Sequence, residues 1–234
     1  MIIKYLRGFN NFYILNILQE KNIKNDKLNQ GIIMKTLDFC YDKAINGVAG
    51  FDSASEMAES YICKGGDNTE LANSLIRWQN TKAGTSGFLT GLPGIILMPV
   101  TIPANLTSVF YIQIRMIAAI AYIGGYDLKD DKVKSLVYAC MAGNAAKDIL
   151  KDVGIVIGKK MTAKLINNLS GKTISAINQK VGFRLLTKFG EKGALNLGKG
   201  IPLVGGIIGG IFDTATTNII GNVARNTFIT KNVA

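Results

Sequence analysis

The chain has 234 residues and a mass of 25.2 kDa, with 27 lysines and arginines against 16 acidic residues, a net charge of +11. It contains no histidine, which excludes Ser-His-Asp and Cys-His catalytic pairs, histidine-ligated zinc and a histidine general base. Charged residues make up only 18%, below the roughly 25% of an average soluble chain, so mean hydropathy reaches +0.23; such a chain packs extensively or meets lipid, and its positive surplus favours an anionic partner.

Residues 1–33 are rich in Asn, Ile and Lys and lack the unbroken apolar core and small-residue cleavage site of a signal peptide. Met34 stands just before a good helical pattern, so 1–33 reads as an N-terminal extension and 34–230 as the domain. Leu37, Tyr41, Ala44, Ile45 and Val48 form one face of an amphipathic helix over 34–49, ended by Gly50. Asp52 or Ser53 caps a second helix with Ala54, Met57, Ala58 and Tyr61 on one face, ended by Gly65-Gly66. Asp67 or Asn68 caps a third, on which Leu71, Leu75 and Trp78 share a side. Residues 34–82 hold five basic and seven acidic side chains.

The composition then changes. No charge occurs in the 32 residues from Ala83 to Ile114, and after Arg115 the uncharged run continues to Tyr126. The length suffices for a membrane span, which takes about 20 residues. Pro93, Pro99 and Pro103 and four glycines break it, because each proline removes a backbone donor and clashes one turn back. The reading is a helix over 83–92, a broken apolar turn over 93–103 and a helix from about Ala104 to Ile123. This hairpin belongs either to a re-entrant or interfacial membrane element or to a core. Gly124-Gly125 ends it, and Val133, Leu136, Val137, Cys140 and Met141 mark the next helix.

From Lys147 to Lys199 the chain is basic, with eleven lysines and arginines against Asp148, Asp152 and Glu191. Ile149, Val153, Ile157, Met161 and Leu165 recur every four residues while the lysines lie mostly off that stripe. This pattern predicts a basic amphipathic helix, suited to a membrane surface or to a core-facing position with a solvated lysine face. A further helix around 172–181 ends near Gly182. The last apolar unit carries Gly205, Gly206, Gly209 and Gly210 at spacings that allow close helix approach. With 83–104, the stretch 200–212 makes a second Gly/Pro-broken apolar hairpin. Asp213 and Arg115 are the lone charges of the two blocks, which suggests a buried Arg115–Asp213 pair docking the hairpins, because an isolated buried carboxylate needs a partner or a proton. No run alternates with period two, so the class is all-α: a compact multi-helix domain with two broken apolar hairpins.

Cys40, Cys63 and Cys140 are widely spaced, have no metal-ligand pattern and read as reduced thiols. Gly171-Lys172-Thr173 lacks the first glycine of a phosphate loop. The basic block is nearly all lysine, without interleaved aromatics, which argues against nucleic acid, since base readout favours arginine. No cofactor or metal is indicated.

Two stretches carry a family resemblance. RWQNTKAGTSGFLTGLPGIILMPVTIPANLTSVFYIQIRMIAAIAYIGGYD, from Arg77 to Asp127, and INQKVGFRLLTKFGEKGALNLGKGIPLVGGIIGGIFD, from Ile177 to Asp213, resemble the EcsC protein family. The shared pattern is a Gly-rich apolar hairpin, an Arg-containing helix, a Gly-Tyr-Asp end and a later Pro-x-x-Gly-Gly hairpin; it covers roughly Met34 to Phe228. The resemblance implies a helical, membrane-associated or membrane-proximal bacterial protein. The family is named for a companion of an ABC transporter, which does not imply transport, and no catalytic residues transfer. Pro103-Ala104-Asn105 stands where some relatives carry Pro-Ala-Asp, so no shared acid transfers there.

The expectation is a non-enzymatic protein at the cytoplasmic face of the membrane or in the cytoplasm. Lys159, Lys160 and Lys164 would meet anionic phospholipid, while the hairpins around Pro93 and Pro99 contact acyl chains or an apolar lipid ligand. A membrane-protein partner is compatible with this. The alternatives are an enzyme with a carboxylate, Asp213, in an apolar cleft, and a pore-forming or toxin-like protein.

Overall fold

The computed structural model describes residues 28–83, 104–158, 163–189 and 208–229, with the side chains of 82–83, 104–106, 108, 163–164 and 208–214 outside the description. Asn29 accepts the amide of Ile32 through its side chain at 3.0 Å and starts α1, Gln30–Asn46. The helix therefore begins one turn before Met34 and buries Ile33 as well as Leu37, Cys40, Tyr41 and Ala44. It stops at Gly47, whose φ of 77° suits a residue without Cβ. Ser53 opens α2, Ala54–Ile62, with a reciprocal capping box. Its hydroxyl oxygen accepts the Glu56 amide at 3.2 Å, and Glu56 Oε2 accepts the Ser53 amide at 2.8 Å.

In α3, Asn68–Ala83, the buried side is made by Leu71, Ala72, Leu75, Ile76 and Gln79. Trp78, expected on that side, is 51% exposed: the stripe turns toward Ile76 and Gln79 and leaves the indole on the open edge.

α4, Ala104–Ile123, coincides with the predicted helix, and every residue from Phe110 to Ala121 is buried. A helix apolar on all sides needs neighbours on all sides. Here α1, α2, α3, α5 (Asp131–Met141) and α9 (Ile208–Phe228) supply them. This part of the uncharged run is the axis of the protein core. Among the described residues no helix is long and apolar enough to cross a membrane. Residues 84–103 and 200–207, which complete the two expected hairpins, lie outside the described residues.

The basic helix expected across 147–165 is not continuous. A 3₁₀ turn at Gly143–Ala145 leads into α6, Ala146–Lys151, which ends at Asp152, and α7 spans only Ala163–Asn167. Between them Gly154 and Gly158 take φ of 83° and 89°, and the Gly158 amide donates to the Asn226 carbonyl of α9 at 3.0 Å. Left-handed glycines end the ladder, and the chain turns to α9 instead of propagating. Val156 and Leu165 are consequently about half exposed, at 48% each.

α8, Gly171–Phe189, runs through Gly182 instead of ending there. A Cβ on Gly182 would lie 2.8 Å from Gln30 Cγ and 3.2 Å from Met34 Sδ, so this glycine sets the approach of α8 to α1. On α9, a Cβ on Gly221 would come within 2.8 Å of Ile76 Cγ1, which fixes how closely α9 meets α3. Arg225 of α9 also donates to Asn73 of α3. Among the described residues the helices carry no sheet; one isolated bridge joins Val48 and Phe51. The all-α, compact multi-helix class expected from the sequence is the observed one.

Candidate functional site

A cleft of about 660 Å³ opens where the turn at Gly50–Asp52, α2 and α3 meet the α4 core. Its floor holds Arg115, 4% exposed although it sits in the most apolar helix of the chain. An ionised group at that depth needs compensation. Arg115 Nη1 donates to the Asp52 carbonyl at 3.1 Å, and the guanidinium carbon lies 5.3 Å from the Phe51 ring centre and 5.6 Å from that of Tyr111. Those ring faces attract the cation, worth about 2 kcal/mol when desolvated. Arg115 Nε has no hydrogen-bond partner, and among the described residues Arg115 makes no ion pair. The buried Tyr111 hydroxyl lies beside it; burial raises its pKa, and the Arg115 charge and hydrogen bonding from the guanidinium pull against that rise.

Gln79 lines the same cleft at 2% exposure. Its amide nitrogen donates to Met57 Sδ at 3.2 Å, and its Oε1 has no partner. Lys64 and Arg77, both exposed, stand at the rim with Trp78; the Lys64 ammonium lies 4.6 Å from the Tyr61 ring centre. Among the described lining residues Lys64, Arg77 and Arg115 thus face one carboxylate, that of Asp52, a surplus of positive charge.

A second groove, of about 450 Å³, runs between α1, α6 and α8. It is lined by Asp148, Asp152, Lys180, Phe183 and Arg184 among others, and its charges are mutually paired in part, with Lys180 2.5 Å from Asp152. Phe183, 65% exposed, is the most open of the large hydrophobic side chains described. The basic residues of α8 are Lys172, Lys180, Arg184 and Lys188, and the helix has no acidic residue. Lys188 is half-buried; its pKa is lowered by that burial and by the neighbouring Arg184 charge.

Of the residues picked out in the sequence, Arg115 lies in the cleft. Asp213 belongs to α9 by its backbone, but its side chain is outside the description, as is that of Lys164 in α7. Pro93, Pro99, Lys159 and Lys160 lie outside the described residues. The sequence reading missed Lys64, Arg77 and Gln79. A signal was present for two of them: Arg77-Trp78-Gln79 places a cation, an indole and an amide in succession on a helix of otherwise regular stripe. Among the described residues no three Cys, Asp or Glu side chains gather to hold a metal ion.

An all-α domain wrapped around a buried, arginine-bearing helix, with a cationic cleft over that arginine, is the class that fold and site define. The chain belongs to the EcsC protein family, whose pattern it matches over residues 66–230. The matched span runs from the start of α3 into the residues after α9 and includes Arg77, Gln79 and Arg115. No curated protein and no solved structure matches the chain.

Proposed function

We propose that this EcsC-family protein is a non-enzymatic, membrane- or lipid-associated helical module that docks on anionic phospholipid from the cytoplasmic side. The observation that carries the reading is α8: four cations, no carboxylate and an outward phenylalanine on one helix. Phe183 shares the open face with Lys180, three residues before it, and with Lys172, three turns away. Arg184 borders that face. A cationic helix with an exposed aromatic suits the headgroup boundary, where the ring enters the interface and the cations stay with the phosphates. Each cation near such a surface contributes about 1 kcal/mol. The three solvent-facing ones, Lys172, Lys180 and Arg184, then supply about 3 kcal/mol at low salt, of which the Asp152–Lys180 pair removes part. The net charge of +11 adds long-range attraction, screened beyond about 10 Å at 0.1 M salt.

Flotation of the full chain with vesicles tests this. Association with vesicles containing phosphatidylglycerol, little with phosphatidylcholine alone, and loss at 0.5 M salt are expected. Lys172→Glu with Arg184→Glu should abolish flotation, and Phe183→Ser should weaken it. No flotation on anionic vesicles at low salt refutes the reading.

A further inference from the structure

The cleft over Arg115 is a separate feature from the α8 face, and its chemistry is more specific than a general positive charge. A core arginine that lines a cleft while its Nε goes unpartnered is costly unless something else meets its donors. The planar guanidinium fork matches the oxygens of a phosphate or carboxylate. Lys64 and Arg77 at the rim supply two further positive charges, and among the described lining residues only Asp52 opposes them, so a cation is disfavoured as the occupant. Gln79 Oε1 adds a condition, because a buried acceptor without a partner asks for a donor. A bare carboxylate has no donor to offer. A phosphate ester with a hydroxyl on its carrier does.

We propose that this cleft binds the phosphate group of a hydroxyl-bearing phosphate ester. Arg115 receives the phosphate at the floor, Lys64 and Arg77 neutralise it from the rim, and Gln79 Oε1 accepts from the hydroxyl. Trp78, the single tryptophan of the chain, stands at the mouth and reports occupancy. The site does not rest on membrane docking by α8, since a soluble ester presents the same chemistry as a lipid headgroup.

Titration of the full chain with glycerol 3-phosphate, followed by Trp78 emission and by calorimetry, tests the proposal in the absence of lipid. A parallel arm uses phosphatidylcholine vesicles with and without phosphatidylglycerol, whose headgroup glycerol keeps its hydroxyls, and the chain carrying Lys172→Glu with Arg184→Glu, so that α8 does not contribute. Saturable binding of glycerol 3-phosphate identifies a soluble ester as sufficient. Binding confined to phosphatidylglycerol vesicles identifies the headgroup as the source. In either case Lys64→Gln and Arg77→Gln, both at exposed positions, should each weaken binding about tenfold, and Gln79→Met should weaken glycerol 3-phosphate more than inorganic phosphate. Arg115→Lys keeps a core cation but loses the fork and should remove binding, with circular dichroism checking that the fold survives. Lys172→Glu with Arg184→Glu should leave glycerol 3-phosphate affinity unchanged, which separates this site from the vesicle-docking face. Absence of binding in both arms up to 10 mM ester (about 3 kcal/mol of affinity) overturns the site. So does binding that Lys64→Gln and Arg77→Gln leave intact.

Discussion

Gly221 offers the sharpest test of how the helices are fitted together. A Cβ at this position would sit 2.8 Å from Ile76 Cγ1, 3.0 Å from Cγ2 and 3.2 Å from Cδ1. Ile76 is 3% exposed and β-branched, so its side chain cannot swing away without leaving its preferred rotamer. Overpacking of this kind costs about 1–3 kcal/mol. Alanine in a helix interior regains about 1 kcal/mol over glycine. Gly221→Ala should therefore be neutral to destabilising by about 2 kcal/mol. Ile76→Ala removes all three obstructing atoms and by itself should cost about 2–5 kcal/mol. In that background Gly221→Ala has room, and only the propensity gain of about 1 kcal/mol remains. The sign of the Gly221→Ala effect should reverse between the two backgrounds. Urea unfolding of the four proteins measures it, with a coupling energy of about 1–3 kcal/mol expected. At this chain length each 1 kcal/mol moves Tm by about 2–4 °C, so thermal scans should agree. Additive effects in the two backgrounds would refute the claim that Gly221 sets the α3–α9 approach.

Further outcomes follow from burial and hydrogen bonding. One thiol of three should react with a disulfide reagent in the native protein, namely the exposed Cys63; Cys40 and Cys140 are buried, which pushes the Cys140 thiol up to about 12 and Cys40 also upward, so a native count of three would contradict the core. Ser53→Ala should cost about 0.5–2 kcal/mol by opening the α2 cap. The Ser53 bonds hold Glu56 below the usual glutamate pKa, so their contribution is present above that range and is lost as pH falls through the folded value; the gap between variant and parent should narrow on acidification in urea melts. Tyr41→Phe leaves the Leu128 carbonyl without the phenol that donates to it at 2.8 Å and should cost about 1–3 kcal/mol by the same assay. Alkaline difference spectroscopy should show Tyr41 and Tyr138 ionising only with unfolding, because burial raises both and the Asp38 carboxylate, which accepts the Tyr138 hydroxyl, raises Tyr138 further.

Helix identity was legible where a stripe had the right period and a cap stood before it, as at Ser53. The stripe from Ile149 to Leu165 had the same period, yet Gly154 and Gly158 break it. Glycine is permissive in a helix and in a turn alike, and here the turn is held by the Ile155 amide bonding back to Leu150 and by the bond from Gly158 to Asn226, 68 positions away. Gly182 shows the converse, a glycine inside a helix, kept small by Gln30 and Met34 of α1. Trp78 shows a limit of face assignment, since a stripe spaced at 71, 75 and 78 differs from one through 72, 76 and 79 by a single residue of rotation.

The sequence by itself determined that the class is all-α, that the longest uncharged stretch suits a core or a membrane element, and that Arg115 and Asp213 are the lone charges of the two apolar blocks. Periodicity, capping and composition are local or additive properties, and they are complete in one dimension. Only the tertiary structure decided what surrounds α4, and that Lys64 and Gln79, 51 and 36 positions before Arg115, share its cleft. A site of that kind is made by helices crossing at fixed distances. Those distances are set by side-chain volumes such as Ile76 against Gly221, a pairing of positions that no local pattern encodes.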